Sequence, residues 1–138
     1  MLRFGMVVIG AADMDRAERF WCEALGYRLR YSQDAGDWRE LAPAGGGSGT
    51  VIGLQSSGAE PQHDPRLHVD LEVDSAAEQQ AEIVRLTGLG ARLADWDHYP
   101  ADPGYVVLDD TEGNKFCIVD ASHTSAGGQF YDLGGAGA

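Results

Sequence analysis

Apolar and polar positions follow the same order twice along this chain. An apolar strand over residues 4–9 precedes a helix over 13–25 with a one-sided apolar stripe, and polar hairpins then lead to a strand over 50–55. The order starts again with a strand over 67–73 and ends near residue 118. Alternation predicts strands and helical spacing predicts helices, so the repeat indicates two βαβββ modules.

Both helices carry recognisable start and stop signals. Asp13 is a favourable N-cap for the first helix, and Gly26 suits the left-handed stop after it. A second helix is predicted over 75–87, started by Asp74 and followed by Gly90.

These elements predict an α+β fold in which two tandem modules form a curved, barrel-like mixed sheet around a cavity. The first module covers residues 1–56, a polar connector covers 57–66, and the second module covers 67–120. Residues 121–138 are rich in Gly, Ala and Ser and are expected to form a flexible tail, in which Phe130, Tyr131 and Leu133 could dock as a lid. Because each helix covers one sheet face, a small molecule is expected on the other.

The charge balance excludes two classes of partner. With 22 acidic and 10 basic residues the net charge is −12, which repels nucleic acid and acidic membranes and attracts cationic small molecules. The early acidic helix argues against a signal peptide, and no apolar run has membrane-spanning length. Cys22 and Cys117 form neither a metal-type spacing nor a disulfide framework, which predicts a cytoplasmic protein.

The strand over 67–73 carries the candidate catalytic residues. Alternation places His68, Asp70 and Glu72 on the face opposite the helix. His68 is the candidate general acid or base, with Asp70 orienting it and Glu72 tuning it. In the alternative interpretation the two acids are solvated and His68 only forms a hydrogen bond within the fold.

The same alternation selects candidate ligand-binding residues on other strands. They are expected to give the cavity an apolar, aromatic lining with a polar edge, and they are Met6, Trp38, Gln55, Tyr105 and Cys117.

Several segments in this order resemble the vicinal oxygen chelate superfamily of glyoxalases, bleomycin-resistance proteins and extradiol dioxygenases, and most closely its glyoxalase-like subgroup. The resemblance extends over about residues 4–120. The segments are Asp13–Trp21, Leu25–Tyr27, His68–Asp70, Leu89–Ala91 and Asp110–Asn114.

The resemblance implies four positions for a divalent metal, at Met6, Gly53, His68 and Cys117. Only His68 is a residue that the family uses there. Cys117 could bind zinc as a thiolate and Asp70 or Gln55 could approach the ion, but a pair of His68 and Cys117 lacks the third ligand that a catalytic metal needs. We therefore expect no cofactor, while zinc, manganese or iron is the alternative.

The favoured function is metal-free binding of a small aromatic or cationic molecule by a homodimer, as the resemblance implies for the bleomycin-resistance branch. The first alternative is a metal-independent isomerase or lyase that uses His68. A metal-dependent glyoxalase or dioxygenase-type enzyme is the second. A nucleophilic Cys117 has the least support, because Asp70 and Glu72 oppose formation of its thiolate.

Overall fold

The computed structural model describes residues 1–123 and divides the chain into two compact units. The first unit comprises Met1–His63 together with Asp110–Asn114, and the described part of the second comprises Asp64–Asp109 together with residues 115–123. Most of the predicted tail, including Phe130, Tyr131 and Leu133, lies outside the described residues.

The first unit contains one helix and a four-stranded mixed sheet. Its strands have the spatial order β1-β4-β3-β2, in which β1 is parallel to β4 and the other pairs are antiparallel. The elements are β1 (Val7–Ala11), α1 (Met14–Leu25), β2 (Tyr27–Gln33), β3 (Trp38–Pro43) and β4 (Ile52–Ser56).

The first helix forms as its capping residues predict. The Asp13 side chain accepts a hydrogen bond from the Arg16 N–H, and Gly26 ends the helix with φ 67°. Phe20 and Trp21 on its apolar stripe are almost completely buried, as are Leu41 and Leu54 of the sheet. Burial of this stripe against the sheet forms the core of the unit.

The second unit repeats this arrangement with the strand order β5-β8-β7-β6. The parallel pair is β5 and β8, and the remaining pairs are antiparallel. The elements are β5 (Val69–Val73), α2 (Ala76–Gly88), β6 (Arg92–Leu93), β7 (Tyr105–Asp109) and β8 (Lys115–Asp120). The α+β class and both βαβββ modules are thus confirmed, and each sheet is open rather than a closed barrel.

Several predicted boundaries shift by one to three residues. The parallel pairings begin at Val7 and Val69, so residues 4–6 and 67–68 precede their ladders. The N-cap of α2 is Ser75, whose hydroxyl accepts from the Glu78 N–H, while the Glu78 carboxylate accepts from the Asp74 N–H. The predicted cap, Asp74, is therefore one residue too early, because Ser75 supplies the side-chain oxygen that accepts from the N–H of Glu78.

Within residues 1–123, neither helix combines the length and the apolar character that a membrane crossing requires.

Candidate functional site

We call the sheet face opposite each unit's own helix its distal face. In the first unit, Arg39 of β3 pairs with Asp15 and Glu18 of α1, so Trp38 and Glu40 point to the distal face. The pairings of Gly53 with Val8 and with Glu40 place these residues there too. Of the predicted ligand-binding residues, Met6, Trp38 and Gln55 share this face.

Gly53 lies where these side chains converge. A Cβ atom at this position would lie 3.1 Å from Met6 Sδ, 3.1 Å from Val8 Cγ2 and 3.5 Å from Trp38 Cη2. Because Gly53 has no side chain, the apolar groups of Met6, Val8 and Trp38 can pack closely over β4. Neither Met6 nor Gly53, the two family metal positions of this unit, offers a hard or borderline donor there.

A groove of about 340 Å³ opens beside Trp38, where β2 and β4 end and β3 begins. Trp38 Nε1 donates to Glu40 Oε1 at 3.3 Å. The turn between β2 and β3 contains Asp34 at φ 54° and Ala35 at φ 56°, both left-handed. The groove combines an indole with carboxylates and amides, and its lining is Gln33, Asp34, Asp37, Trp38, Gln55 and Ser56.

On the distal face of the second unit the structure brings His68, Asp70 and Cys117 together. His68 Nε2 lies 3.1 Å from Asp70 Oδ1, and Asp70 is the register partner of Cys117. The nitrogen, oxygen and sulfur donors of the three side chains all lie within 4.8 Å of one another. The His68 and Asp70 side chains are 47% and 54% exposed, so solutes can reach them, whereas Cys117 is buried.

The environment of Cys117 opposes a thiolate. Burial, followed by the charge of Asp70 and a hydrogen bond with it, raises the pKa of Cys117 to about 12. Lys115, the nearest cation along β8, is paired with Asp109 through a 2.9 Å contact. The raised pKa agrees with the sequence analysis, in which a nucleophilic role for Cys117 has the least support.

Glu72 and Tyr105 share a face with this cluster but are not part of it. Both pair with Val119, so both lie on the distal face. The Tyr105 ring lies 5.5 Å from the Tyr99 ring, and the Tyr99 hydroxyl accepts from the Val107 N–H. A catalytic role for Glu72 and a ligand-binding role for Tyr105 stay predictions.

Sequence reasoning missed a buried carboxylate in the first unit. Asp110 is 1% exposed and accepts hydrogen bonds from Trp21 Nε1 and from the N–H groups of Glu112 and Asn114. Glu112 accepts from the Asp13 N–H and pairs with Arg16. The sequence signal for it is the segment Asp110–Asn114, which carries part of the family resemblance but does not by itself indicate a buried carboxylate.

The comparisons with known proteins agree with this fold. The model of the glyoxalase-like domain family matches residues 6–119. The chain belongs to the glyoxalase-like domain family. Its fold is that of the vicinal oxygen chelate superfamily, as the resemblance implied.

The solved structures that resemble this glyoxalase-like chain share its fold at low identity. The fosfomycin resistance protein FosX from Listeria monocytogenes has a TM-score of 0.68 and 13% identity, and the match covers 94% of this chain and 99% of that one. A lactoylglutathione lyase from Agrobacterium tumefaciens has a TM-score of 0.59 and 17% identity, covering 87% and 94%. No curated protein matches the sequence.

One of these neighbours was solved with a metal ion. A variant of the Listeria FosX was solved with Mn(II) and 1S,2S-dihydroxypropylphosphonic acid, at a TM-score of 0.65 and 14% identity over 86% of this chain and 90% of that one. Asp70, one of the two side chains that the sequence offers as a third ligand beside His68 and Cys117, lies close enough to act as a donor. An imidazole, a carboxylate and a thiol together fit a divalent cation.

Proposed function

We propose that this glyoxalase-like protein binds a small planar cation in the groove beside Trp38. The observation that carries the proposal is the indole of Trp38 lying in one groove with the carboxylates of Asp34 and Asp37. The net charge of −12 favours the approach of cations.

Each lining group has a physical role in such binding. A cation over an indole face gains about 0.5–2 kcal/mol, depending on how far it is desolvated. Asp34 and Asp37 add Coulomb attraction, and the Gln55 amide can donate to or accept from a polar substituent. A groove of about 340 Å³ suits a compact ligand rather than a polymer.

A matched pair of probes tests the proposal. N-methylquinolinium is cationic, and 1-methylnaphthalene has nearly the same shape without the charge. Calorimetric titration is expected to show tighter binding of the cation, and Trp38→Leu is expected to weaken it by about tenfold, the equivalent of a 1.4 kcal/mol contact.

Charge variants distinguish the effect of the carboxylates in the groove from the effect of the net charge of the protein. The double variant Asp34→Asn, Asp37→Asn is expected to weaken binding of the cationic probe and to leave binding of the neutral probe unchanged. Asn is suitable at residue 34 because it tolerates the left-handed φ there. Glu60→Gln with Asp95→Asn removes the same charge at exposed sites that do not line the groove. Equal losses in the two double variants, or equal affinity for both probes, would contradict the proposal.

A second candidate function is acid–base catalysis by His68, favoured by its 3.1 Å contact with Asp70. Asp70 would orient the imidazole, and His68 would take a proton from a carbon next to a carbonyl group and return it. Exchange of the carbon-bound protons of dihydroxyacetone in deuterium oxide, followed by NMR, provides the assay. His68→Gln should abolish any acceleration, and unchanged exchange in that variant would exclude this function.

A divalent cation would be held by His68, Asp70 and Cys117. When bound there it would polarise a carbonyl or hydroxyl oxygen of a substrate. His68 cannot bind a metal ion and transfer a proton through the same nitrogen, so occupancy of this cluster also decides between the two roles.

A further inference from the structure

We infer that His68, Asp70 and Cys117 form a cation site that selects zinc over manganese. The three donor atoms lie within 4.8 Å of one another in the second unit. Zinc bonds of about 2.0–2.3 Å place neighbouring ligands roughly 3.3–3.8 Å apart, so small side-chain rotations suffice to close the set.

Strand pairing fixes two of these donors relative to each other. Asp70 and Cys117 are partners in the parallel pair of β5 and β8, so their side chains leave adjacent strands on the same face. His68 lies two residues before Asp70, and its Nε2 already contacts the Asp70 carboxylate. All three ligands are therefore supplied by the second unit.

The chemistry of the donors determines which cation fits. Sulfur and imidazole nitrogen favour zinc, whereas manganese prefers sites rich in oxygen. A thiol and an imidazole make up two of the three donors here, and the carboxylate suits either ion. A glyoxalase-like chain with this set is thus expected to differ in metal preference from the FosX variant that was solved with Mn(II).

Exposure indicates that the bound ion would remain accessible. About half of each His68 and Asp70 side chain is exposed, while the Cys117 side of the cluster is buried. Three protein ligands with one accessible side are typical of reactive zinc sites, whereas structural sites are closed by four protein ligands.

Cobalt(II) provides a probe because its bond to a thiolate absorbs in the near ultraviolet. The full chain, stripped with a chelator, is expected to bind one equivalent of cobalt and to show this band. Cys117→Ser should remove the band, and Asp70→Asn should weaken cobalt binding at least tenfold. Zinc should displace the cobalt stoichiometrically, whereas a tenfold excess of manganese should not.

Two variants control for adventitious binding. Cys22→Ser removes the other cysteine and should leave the band unchanged. His98→Ala removes a second imidazole beside carboxylates, since His98 Nε2 lies 3.3 Å from both Asp64 and Asp97. Circular dichroism of every variant verifies that it is folded.

Four results would overturn the inference: no cobalt binding, a band that survives Cys117→Ser, a band lost in His98→Ala, or displacement by manganese. The outcome is separable from the proposed cation groove, because the N-methylquinolinium titration uses residues of the first unit. Zinc is expected to leave that titration unchanged, so either proposal can fail without the other.

Discussion

The indole nitrogen of Trp21 donates a 3.1 Å hydrogen bond to Oδ2 of Asp110, a buried carboxylate 89 residues further along the chain. Burial raises the pKa of Asp110, while the donors from Asn114, Glu112 and Trp21 act in the opposite direction. A carboxylate with so little exposure depends on these donors, because an unpaired buried charge is strongly destabilising. The contact therefore stabilises the turn 110–114 within the first unit.

A double-mutant cycle measures this contact. Trp21→Phe removes the donor, and Asp110→Asn can place an amide N–H against the indole N–H, so each variant is expected to lower the free energy of unfolding. The coupling between them should be about 1.5–3 kcal/mol, the range for a hydrogen bond to a charged group. Urea unfolding at neutral pH gives the four values, and a coupling below about 0.5 kcal/mol would show that the contact contributes little.

Glu112 and Asp110 should respond to acid in opposite directions. Burial opposes ionisation of Glu112, but the hydrogen bond from Arg16, that from the Asp13 N–H and further contacts together lower the pKa of Glu112. Its contribution to stability is then complete above its unfolded pKa of about 4.3 and is lost as the pH falls through the folded value. For Asp110 the pKa is raised, so the folded state is destabilised by the ionised carboxylate. Protonation at falling pH removes this destabilisation.

Unfolding at pH 7, 5, 4 and 3 tests the two signs. Glu112→Gln should be less stable than the parent chain at pH 7, and the difference should shrink towards pH 3. In the parent chain, protonation of Asp110 on acidification should add to the free energy of unfolding. Asp110→Asn should lack this increase. Glu60→Gln, at an exposed position, is the control and should change stability little at any pH. A constant difference for Glu112→Gln across this range would contradict the ionic role.

Gly53→Ala tests the convergence of side chains on the first sheet. The new methyl group would lie 3.1 Å from Met6 Sδ and Val8 Cγ2, so both must move, and Trp38 is only 3.5 Å away. We expect a loss of about 1–3 kcal/mol in unfolding free energy, as for other overpacked sites, together with weaker N-methylquinolinium binding. Gly58→Ala, which has nothing within 4 Å of the added atom, is the matched control. Equal stability of the two variants would show that the site adapts freely.

The repeat could be predicted from the sequence because its signals are local. Asp13 and Gly26 mark one helix, and strict alternation around His68 assigns faces to β5. The Asp70 donor and the Asp110 role depend on long-range pairing instead. The Trp38 groove depends on left-handed residues at Asp34 and Ala35, and no β-strand pattern predicts that conformation.

The influence of Asp70 on Cys117 can be measured by alkylation in a Cys22→Ser background. Burial and then Asp70 raise the pKa of Cys117, so Asp70→Asn should lower it and increase the thiolate fraction at pH 8. Because each unit of pKa changes that fraction by about tenfold, the iodoacetamide rate is expected to rise severalfold. Glu72→Gln removes an acid from the same strand face but is not a cause of the shift, and it should leave the rate unchanged. If both variants accelerate alkylation equally, general charge rather than the Asp70 contact controls the thiol.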